Sequence, residues 1–582
     1  MCAFTDRNSQ GEGLPVVTVD EEIYRLLPGF VIATVDKFAQ LPRQGPLHTL
    51  FGRVSERCSR HGFRSFDLTR VGDTLESNSH AAADGRPAAK TTDCPRLRPP
   101  DLIIQDELHL ISGPLGTLVG LYETAIDELA SATYDGVRSR PKVVASTATI
   151  RRAEYQVRGI FDRHVRVFPP PGLDIDDSFF ALSRAPSDAS PGRRYLGICA
   201  RGQRMKAVEA RVAITVLAAA QSIFEKYGKA ADPYMTMLAY FGSLRELAGM
   251  KRLLDDDIQT RLPKAVQRGL ARRRTPLQID ELTSRVGGDE IVNILDRLGY
   301  KHDPNGKYEP FKRPLDVALA TNMISVGVDV PRLGLMIVAG QPKSTAEYIQ
   351  ATSRVGRSND GPGLVLTLYN WSRPRDVSHY ERFEHDHATF YKQVEPLSVT
   401  PFAERALDRG LTAVVVAIVR HRLADRALGR VLNPDAAAQN VPTADAEVER
   451  AITIVSERAG HVTGDEQTRA RVKLLVKARL GDWFVKQRRA YKDQASLSFV
   501  GRTKPTVDLL NDGISSGWDA WSVPNSLREV EREINFLLDA TDPSRDGAPA
   551  YVLDGAHAPV AGSAFEDDAA DAEKIISGAT TE

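Results

Sequence analysis

Cysteine is scarce in this chain, at four in 582 residues. That excludes a disulfide framework and fits a reducing, cytoplasmic setting. Neither sign of charge is in excess, with 76 Lys plus Arg against 76 Asp plus Glu. Any attraction to nucleic acid must therefore come from local basic surface, not from the net field. No apolar run approaches the roughly 20 residues of a membrane span, so no membrane partner is expected. The opening MCAFTDRNSQGEG lacks the basic-then-apolar pattern of a secretion signal. What is present is ordinary globular material, 42% apolar and 26% charged, in a chain long enough for several domains.

The central stretch is Asp101-Leu102-Ile103-Ile104-Gln105-Asp106-Glu107-Leu108-His109. An apolar run ending in two carboxylates reads as a buried parallel strand delivering charge to the C-terminal edge of a sheet. Asp106 there suits a Mg²⁺ ligand, and Glu107 can orient and deprotonate an attacking water. His109 can pass on the state of that site. Acidic pairs after apolar runs also occur as plain strand ends that cap the next helix, so the pair gains weight only from its companions.

In chain order, residues 1–15 read as a frayed end, and Phe30 to Val35 as a buried strand carrying Asp36-Lys37-Phe38. Residues 52–100 read as a long loop or insertion, because Gly, Ser, Asp and Pro interrupt any periodicity. Gly113 to Glu128 reads as an amphipathic helix, and Lys142 to Thr149 as a strand ending in small hydroxyl residues. Strands alternating with helices predict an α/β fold. Texture changes at 168–193, which reads as a linker. Apolar strands follow near 235–241, 315–321, 334–339 and 363–369, with a helical, basic insertion containing Arg272-Arg273-Arg274. The segments are thus 1–183, with its insertion at 52–100, then 184–375, a helical region over 376–545, and a disordered tail over 546–582.

Two further constellations carry chemistry. Ala320 to Pro331 ends a strand in a loop where Thr321 can hold a backbone phosphate, Gly327 permits close approach, and Asp329 can receive a ribose hydroxyl. Tyr348 to Arg357 follows a capping box made by Ser344 and Glu347. This places Gln350, Arg354 and Arg357 about one turn apart on one helical face. Arginines so placed can stabilise a γ-phosphate during transfer; a solvated arginine face is the plainer reading of such a pair taken alone.

Taken together, these motifs resemble a superfamily 2 helicase of the DExH-box type. The resemblance implies two RecA-like (P-loop NTPase type) domains that bind ATP and Mg²⁺ between them and nucleic acid, DNA by preference, across their top, followed by a helical C-terminal region. Thr34-Val35-Asp36-Lys37 resembles the strand-contacting motif Ib, and Asp106 to His109 the DExH box. Ser146-Thr147-Ala148-Thr149 resembles coupling motif III, Tyr240-Phe241-Gly242-Ser243 motif IV, Thr321 to Asp329 motif V, and Gln350 to Arg357 motif VI. Motif VI departs from the commoner pattern at Ala351 and Ser353 but keeps both arginines. The resemblance implies catalytic roles for Asp106, Glu107, His109, Gln350, Arg354 and Arg357. It implies nucleotide contacts for Gly327, Asp329, Ser146 and Thr147, and nucleic-acid contacts for Thr34, Lys37, Ser243 and Thr321. More narrowly, ATVDKF, QDELHLISGPLG, FPPPGLD and QATSRVGRS resemble the helicase of the DISARM antiphage-defence system.

The family's phosphate-binding loop, GxxxxGK[ST], is not in the sequence: Gly228-Lys229 is followed by Ala230, and Gly306-Lys307 by Tyr308. Its amides, lysine and hydroxyl supply most ligands of the β- and γ-phosphates. The expectation is a first RecA-like domain that lacks its opening part, inactive alone, with a partner or an upstream segment, such as a separate N-terminal helicase fragment, supplying the loop. Other defence-system subunits are also expected as partners. The alternative is a non-hydrolysing scaffold that binds nucleic acid. Cys58, His61, His80 and Cys94 could supply four zinc ligands, but His80 and Cys94 do not form a second tight pair, so zinc is not expected. Trp483, Trp521 and the Pro524 to Val530 stretch are expected to pack rather than to line a channel.

Overall fold

The computed structural model describes residues 14, 16–64, 79–82, 87–147, 153–170, 191–283, 285–309, 312–321, 330–358, 361–390, 394–395, 398–423, 435–443, 445–500, 506–511 and 518–528, with short pieces of 173–188. Both ends of the chain, and so the frayed start and the tail over 546–582, lie outside these residues. The chain divides into two compact units. One joins Met1–Thr147 and Arg152–Arg166 to Leu397–Glu582; the other is Ala148–Arg151 with Val167–Pro396. The helices after 397 therefore do not stand apart from the first segment. They are built into it.

The reason lies in the helix Gly113–Leu129, which opens with Pro114 in its first turn and is buried almost without interruption from Leu118 to Leu129. A helix buried on most faces needs partners all round. The helix Glu404–Leu423 supplies one. A Cβ on its Gly410 would stand 2.8 Å from Leu121 Cδ2, so the two helices cross at close range. The burial takes Asp127 and Glu128 out of water as well. Arg140 and Arg163 reach Asp127 at 2.9 and 2.7 Å, while Arg138 reaches Glu128 at 2.8 Å, and Arg422 also pairs with it.

The strand that leads to Asp106 forms, among the described residues, a parallel pair, Leu102–Gln105 beside Lys142–Ala145, with Ile103 opposite Val143 and Gln105 opposite Ala145. The expected strand over Phe30 to Val35 does not form. Phe30 to Thr34 carry no regular structure, Ile32 is 84% exposed, and the segment turns into a short helix at Val35–Gln40. No strand among the described residues pairs with it, and an unpaired β segment has no ladder to hold it. The 52–100 insertion is more ordered than its composition indicates. It forms a four-stranded antiparallel sheet in the order Gly62–Phe63, Glu56–Cys58, Ala89–Asp93, Ser79–His80.

The second unit is built on six parallel strands, in the spatial order Arg194–Cys199, Leu364–Tyr369, Leu335–Ala339, Met237–Phe241, Val317–Ala320, Ile279–Leu282. Its central strands are buried at every residue (MLAYF, VALA, LMIVA), as a sheet covered on both faces requires. Two strands escaped the sequence reading, Arg194–Cys199 and Ile279–Leu282. Each stands at an edge of the sheet, and edge strands bury less. Cys199, at the end of the first of them, is accordingly half-buried. The helix from Met205, continuing through a short turn to Tyr234, is long and apolar enough to cross a membrane by length and composition, contrary to the reading of the sequence. It buries Ala213, Leu217 and Ala218 against the sheet, the behaviour of a core helix.

Two histidines in the first unit are fully buried and neutral. His48 bonds Gly45 O at 2.7 Å, and His421 bonds Leu41 O at 2.7 Å. Burial pushes the His48 imidazole down to about 4 and lowers that of His421. The unfolded chain takes up these protons near pH 6.5, whereas the folded chain resists at both sites, His48 until about 4. Folding therefore loses stability as pH falls from about 6.5 towards 4. Urea midpoints of the first unit's transition should drop between pH 7.5 and 5, and a His48→Gln, His421→Gln variant should flatten that slope. An unchanged slope would contradict the assignment.

Candidate functional site

Asp106 and Glu107 stand where the parallel pair ends. Ladder bonds continue past the strands, from Ser146 N to Gln105 O and from Leu108 N to Ser146 O, each 2.9 Å. They bring Ser146 across to Asp106. Its hydroxyl donates to Asp106 Oδ1, and the Glu107 amide donates to the same oxygen at 2.9 Å. These two bonds, with His109 nearby, hold the Asp106 carboxyl below its ordinary range although the residue is exposed. Thr147 is exposed next to them.

Glu107 adopts φ +51°, left-handed for a residue with a side chain. Such a conformation persists only when neighbours over-determine it. They do so here: Gln156, buried in the helix Ala153–Phe161, donates to Leu108 O at 3.0 Å and to Ile111 O at 2.7 Å. His109 is buried, with Nδ1 3.3 Å from Glu107 Oε2. The expected trio of Asp106, Glu107 and His109 is therefore assembled with Ser146. Gln156 was missed by the sequence reading, since a lone glutamine four residues into an ordinary helix gives no signal.

Lys37 is exposed and paired with Asp20 at 2.7 Å; Thr34, also exposed, precedes the short helix at Val35. Asp36 between them accepts from Ser526 at 2.7 Å and Arg528 at 2.9 Å. The stretch after Pro524 thus packs on this segment. Trp483 and Trp521 are buried, the first donating to Ala438 O at 3.1 Å and the second to Asp482. Packing is their role.

In the second unit, Thr321 is buried at the end of Val317–Ala320, while Gly327 and Asp329 lie outside the described residues. Ser243 is the cap of Leu244–Leu253, accepting from Glu246 N at 3.3 Å. The capping box at Ser344 forms as expected, with Glu347 N donating to Ser344 Oγ at 3.2 Å. Its helix, however, stops at Thr352. Gln350 is on the helix, but Arg354 and Arg357 lie beyond it, so the three do not share one helical face. The end is set by Gly356, at φ +67° and so close to Gly363 that a Cβ would stand 2.4 Å from Gly363 N. Arg193 clamps the turn, donating to Val355 O at 2.8 Å and Ser353 O at 3.4 Å. Arg354 is half-buried and Arg357 exposed. Arg193 was read as linker.

The basic triplet is also corrected. Arg273 is not surface: it is 2% exposed, donating to Asp316 Oδ1 and Met235 O, each at 2.6 Å. Asp316 is held down to about 2; burial opposes its ionisation, but His302, Arg273 and the Gln278 amide overcome it. Among the zinc candidates, Cys58, His61 and His80 come together and Cys94 is not in the group.

Residues 295–359 match the family described as the helicase conserved C-terminal domain. Over 411 residues, 70% of this chain, the sequence is 46% identical to the DISARM protein DrmA of Bacillus paralicheniformis, of which it spans 35%. The chain thus covers about a third of that relative's length. Solved structures similar to it include the DUF1998 helicase MrfA bound to DNA and AMPPNP, at 16% identity and TM-score 0.36, covering 55% of this chain and 37% of that one. Another is the Mycobacterium smegmatis helicase Lhr bound to ssDNA and AMP-PNP, at 17% identity and TM-score 0.35, covering 55% and 34%.

Removing one partner of a buried ion pair leaves the other charge uncompensated, at a cost of about 3–5 kcal/mol. Arg273→Ala should therefore destabilise the second unit by about that amount in urea unfolding. Unchanged stability in this variant would return Arg273 to the surface.

Proposed function

We propose that this chain, a relative of the superfamily 2 helicases and similar to part of the DISARM protein DrmA, is the motor portion of an ATP-driven DNA translocase or helicase acting in cytoplasmic antiphage defence. The observation that carries the reading is the end of the parallel pair. There a hydroxyl from the second strand holds Asp106 ionised beside a strained Glu107. An exposed, hard, charged carboxylate fits a Mg²⁺ ligand; the ion, when bound, neutralises phosphate charge. Glu107, oriented by His109, takes the proton of the attacking water. Arg354 and Arg357 stabilise the charge on the phosphoryl group, and Gln350 acts in the same motif. Gly327 and Asp329 contact the nucleotide, and Ser146 with Thr147 couples its state to the strand end. Thr34, Lys37, Ser243 and Thr321 contact the nucleic-acid backbone.

Phosphoryl transfer depends on positioning and charge stabilisation, and no GxxxxGK[ST] stands in these residues to cradle the phosphates. A further segment or partner fragment therefore supplies that loop. The sheet leaves room for it. Ile104 is 59% exposed, and Leu102 and Val144 are exposed with it, an apolar sheet surface that pairing strands or a covering layer would bury. The second reading, a non-hydrolysing scaffold on nucleic acid, draws on the same missing loop, but leaves the charge state of Asp106 without use.

The chain alone should release phosphate from ATP negligibly with saturating single-stranded DNA. Supplied with a loop-bearing segment, it should turn over, and Arg354→Ala and Arg357→Ala should each lower kcat by on the order of 10³-fold with DNA affinity little changed. Helicase-like turnover of the chain alone, abolished by Glu107→Gln, would overturn the first expectation. Parental turnover in both arginine variants would overturn the second.

DNA binding should survive without ATP chemistry. A Lys37→Ala, Thr321→Val variant should bind short labelled strands more weakly whatever their sequence, and loss of Lys37 should flatten the salt slope by about one unit. Fluorescence anisotropy across a salt series measures both. Base preference with weak salt dependence would point to stacking instead.

A further inference from the structure

The antiparallel sheet of the 52–100 insertion buries few residues within its strands: Cys58, His80 and Ala89. Their placement follows from register. Cys58 pairs with Thr91, and His80 with Ala89. Ala89 and Thr91 are two apart on one strand and so share a face, which puts Cys58 and His80 on that same face. His61 closes the turn after Cys58, three residues on, and the turn is held to the neighbouring strand by Arg60, whose guanidinium donates to Ala81 O at 2.8 Å and Pro87 O at 2.7 Å. The result is a convergence of one sulfur and two imidazoles, with ligand atoms all within 4.8 Å of one another.

We propose that Cys58, His61 and His80 form a zinc site that clips this small sheet together. A tetrahedral zinc ion bound at about 2.3 Å to sulfur and about 2.0–2.1 Å to nitrogen sets its S···N edge at about 3.6 Å; Cys58 Sγ lies 3.6 Å from His61 Nδ1. His80 is 8% exposed, and its Nε2 is buried with no hydrogen-bond partner among the described residues. An orphaned buried ring nitrogen is costly, and a metal ion satisfies it. One thiolate with two imidazoles is a borderline-soft donor set, matched to zinc and not to Mg²⁺ or Ca²⁺. Two of the three buried strand residues are ligands, so among the described residues the sheet has almost no apolar core to fold around, and metal binding supplies its folding energy. Among the described residues these three supply the site. Cys94 is outside the site: its amide bonds Ser55 O at 2.9 Å, three registers from Cys58.

The test uses the full chain, purified without a histidine tag. Elemental analysis should give about one zinc per chain. Chelation and reloading with Co²⁺ should produce a thiolate-to-cobalt charge-transfer band with the visible bands of a tetrahedral ion. Cys58→Ser should remove the charge-transfer band, His80→Gln should lower metal content, and Cys94→Ser should leave both unchanged. Helical circular dichroism reports that the rest of the chain folds, and chelator should expose 52–100 to protease in the parent. Substoichiometric metal with no cobalt band would overturn the site and leave a thiol–imidazole hydrogen bond. Equal metal loss in Cys94→Ser, or full retention in Cys58→Ser, would overturn the ligand assignment.

Discussion

The burial of Asp127 and Glu128 governs the first unit. Carboxylates at the end of a helix buried nearly all round must be neutralised or protonated, since an isolated charge there is prohibitively costly. Both outcomes occur on this one helix. Asp127 stays ionised, its carboxyl lowered in spite of burial because Arg140, Arg458 and Arg163 converge on it. Glu123, one turn earlier, has no such set of bonds, and burial pushes it up to about 7. The arginines come from the strand region, from Arg163, and from the helices Glu404–Leu423 and Ala446–Thr463. Charge pairing thus gathers segments hundreds of residues apart around the helix that follows the Asp106 turn. Arg458 also donates to Ile160 O at 2.7 Å, at the end of the helix that carries Gln156.

That scaffold explains how a two-stranded sheet can hold a precise strand end. A pair of short strands is marginal by itself. Here the turn after it is pinned from the helical side, by Gln156 on two carbonyls and by the Gly113 amide donating to Ser398 O at 2.9 Å. A Cβ on Gly116 would stand 2.6 Å from Ile111 O, so the turn and helix lie against each other at backbone distance. The strained Glu107 is held by helix packing rather than by sheet extension.

The parts legible in sequence were those where one local pattern decides the outcome. Buried strands such as Met237–Phe241 and Leu335–Ala339 were read to within two residues, because a continuous apolar run has few other places to go. Ser344 and Glu347 announced their helix start through side-chain capping. Failures arose where tertiary context decides. Phe30 to Val35 has the composition of a buried strand but finds no neighbour among the described residues. Arg273 sits in a basic triplet, yet Asp316, 43 residues on, draws it inside. The helix after Ser344 was read to Arg357 because nothing in QATSRVGR announces a stop, whereas Gly356 must approach Gly363. The Cys58, His61 and His80 group was discounted on spacing, and only strand register brings His80 to the hairpin.

The two carboxylates of the strand end are set for different tasks by their bonds. Asp106 accepts a hydroxyl and an amide on one oxygen, interactions that favour its ionised form across the neutral range. A group so held is a poor proton acceptor. Glu107 has a different neighbour, the Nδ1 of a buried imidazole. Adjacent in sequence, the two residues are separated by the left-handed turn at Glu107, which sends their side chains to different partners. With that turn, Asp106 is held by the Ser146 hydroxyl and the Glu107 amide, while the Glu107 carboxylate lies against His109.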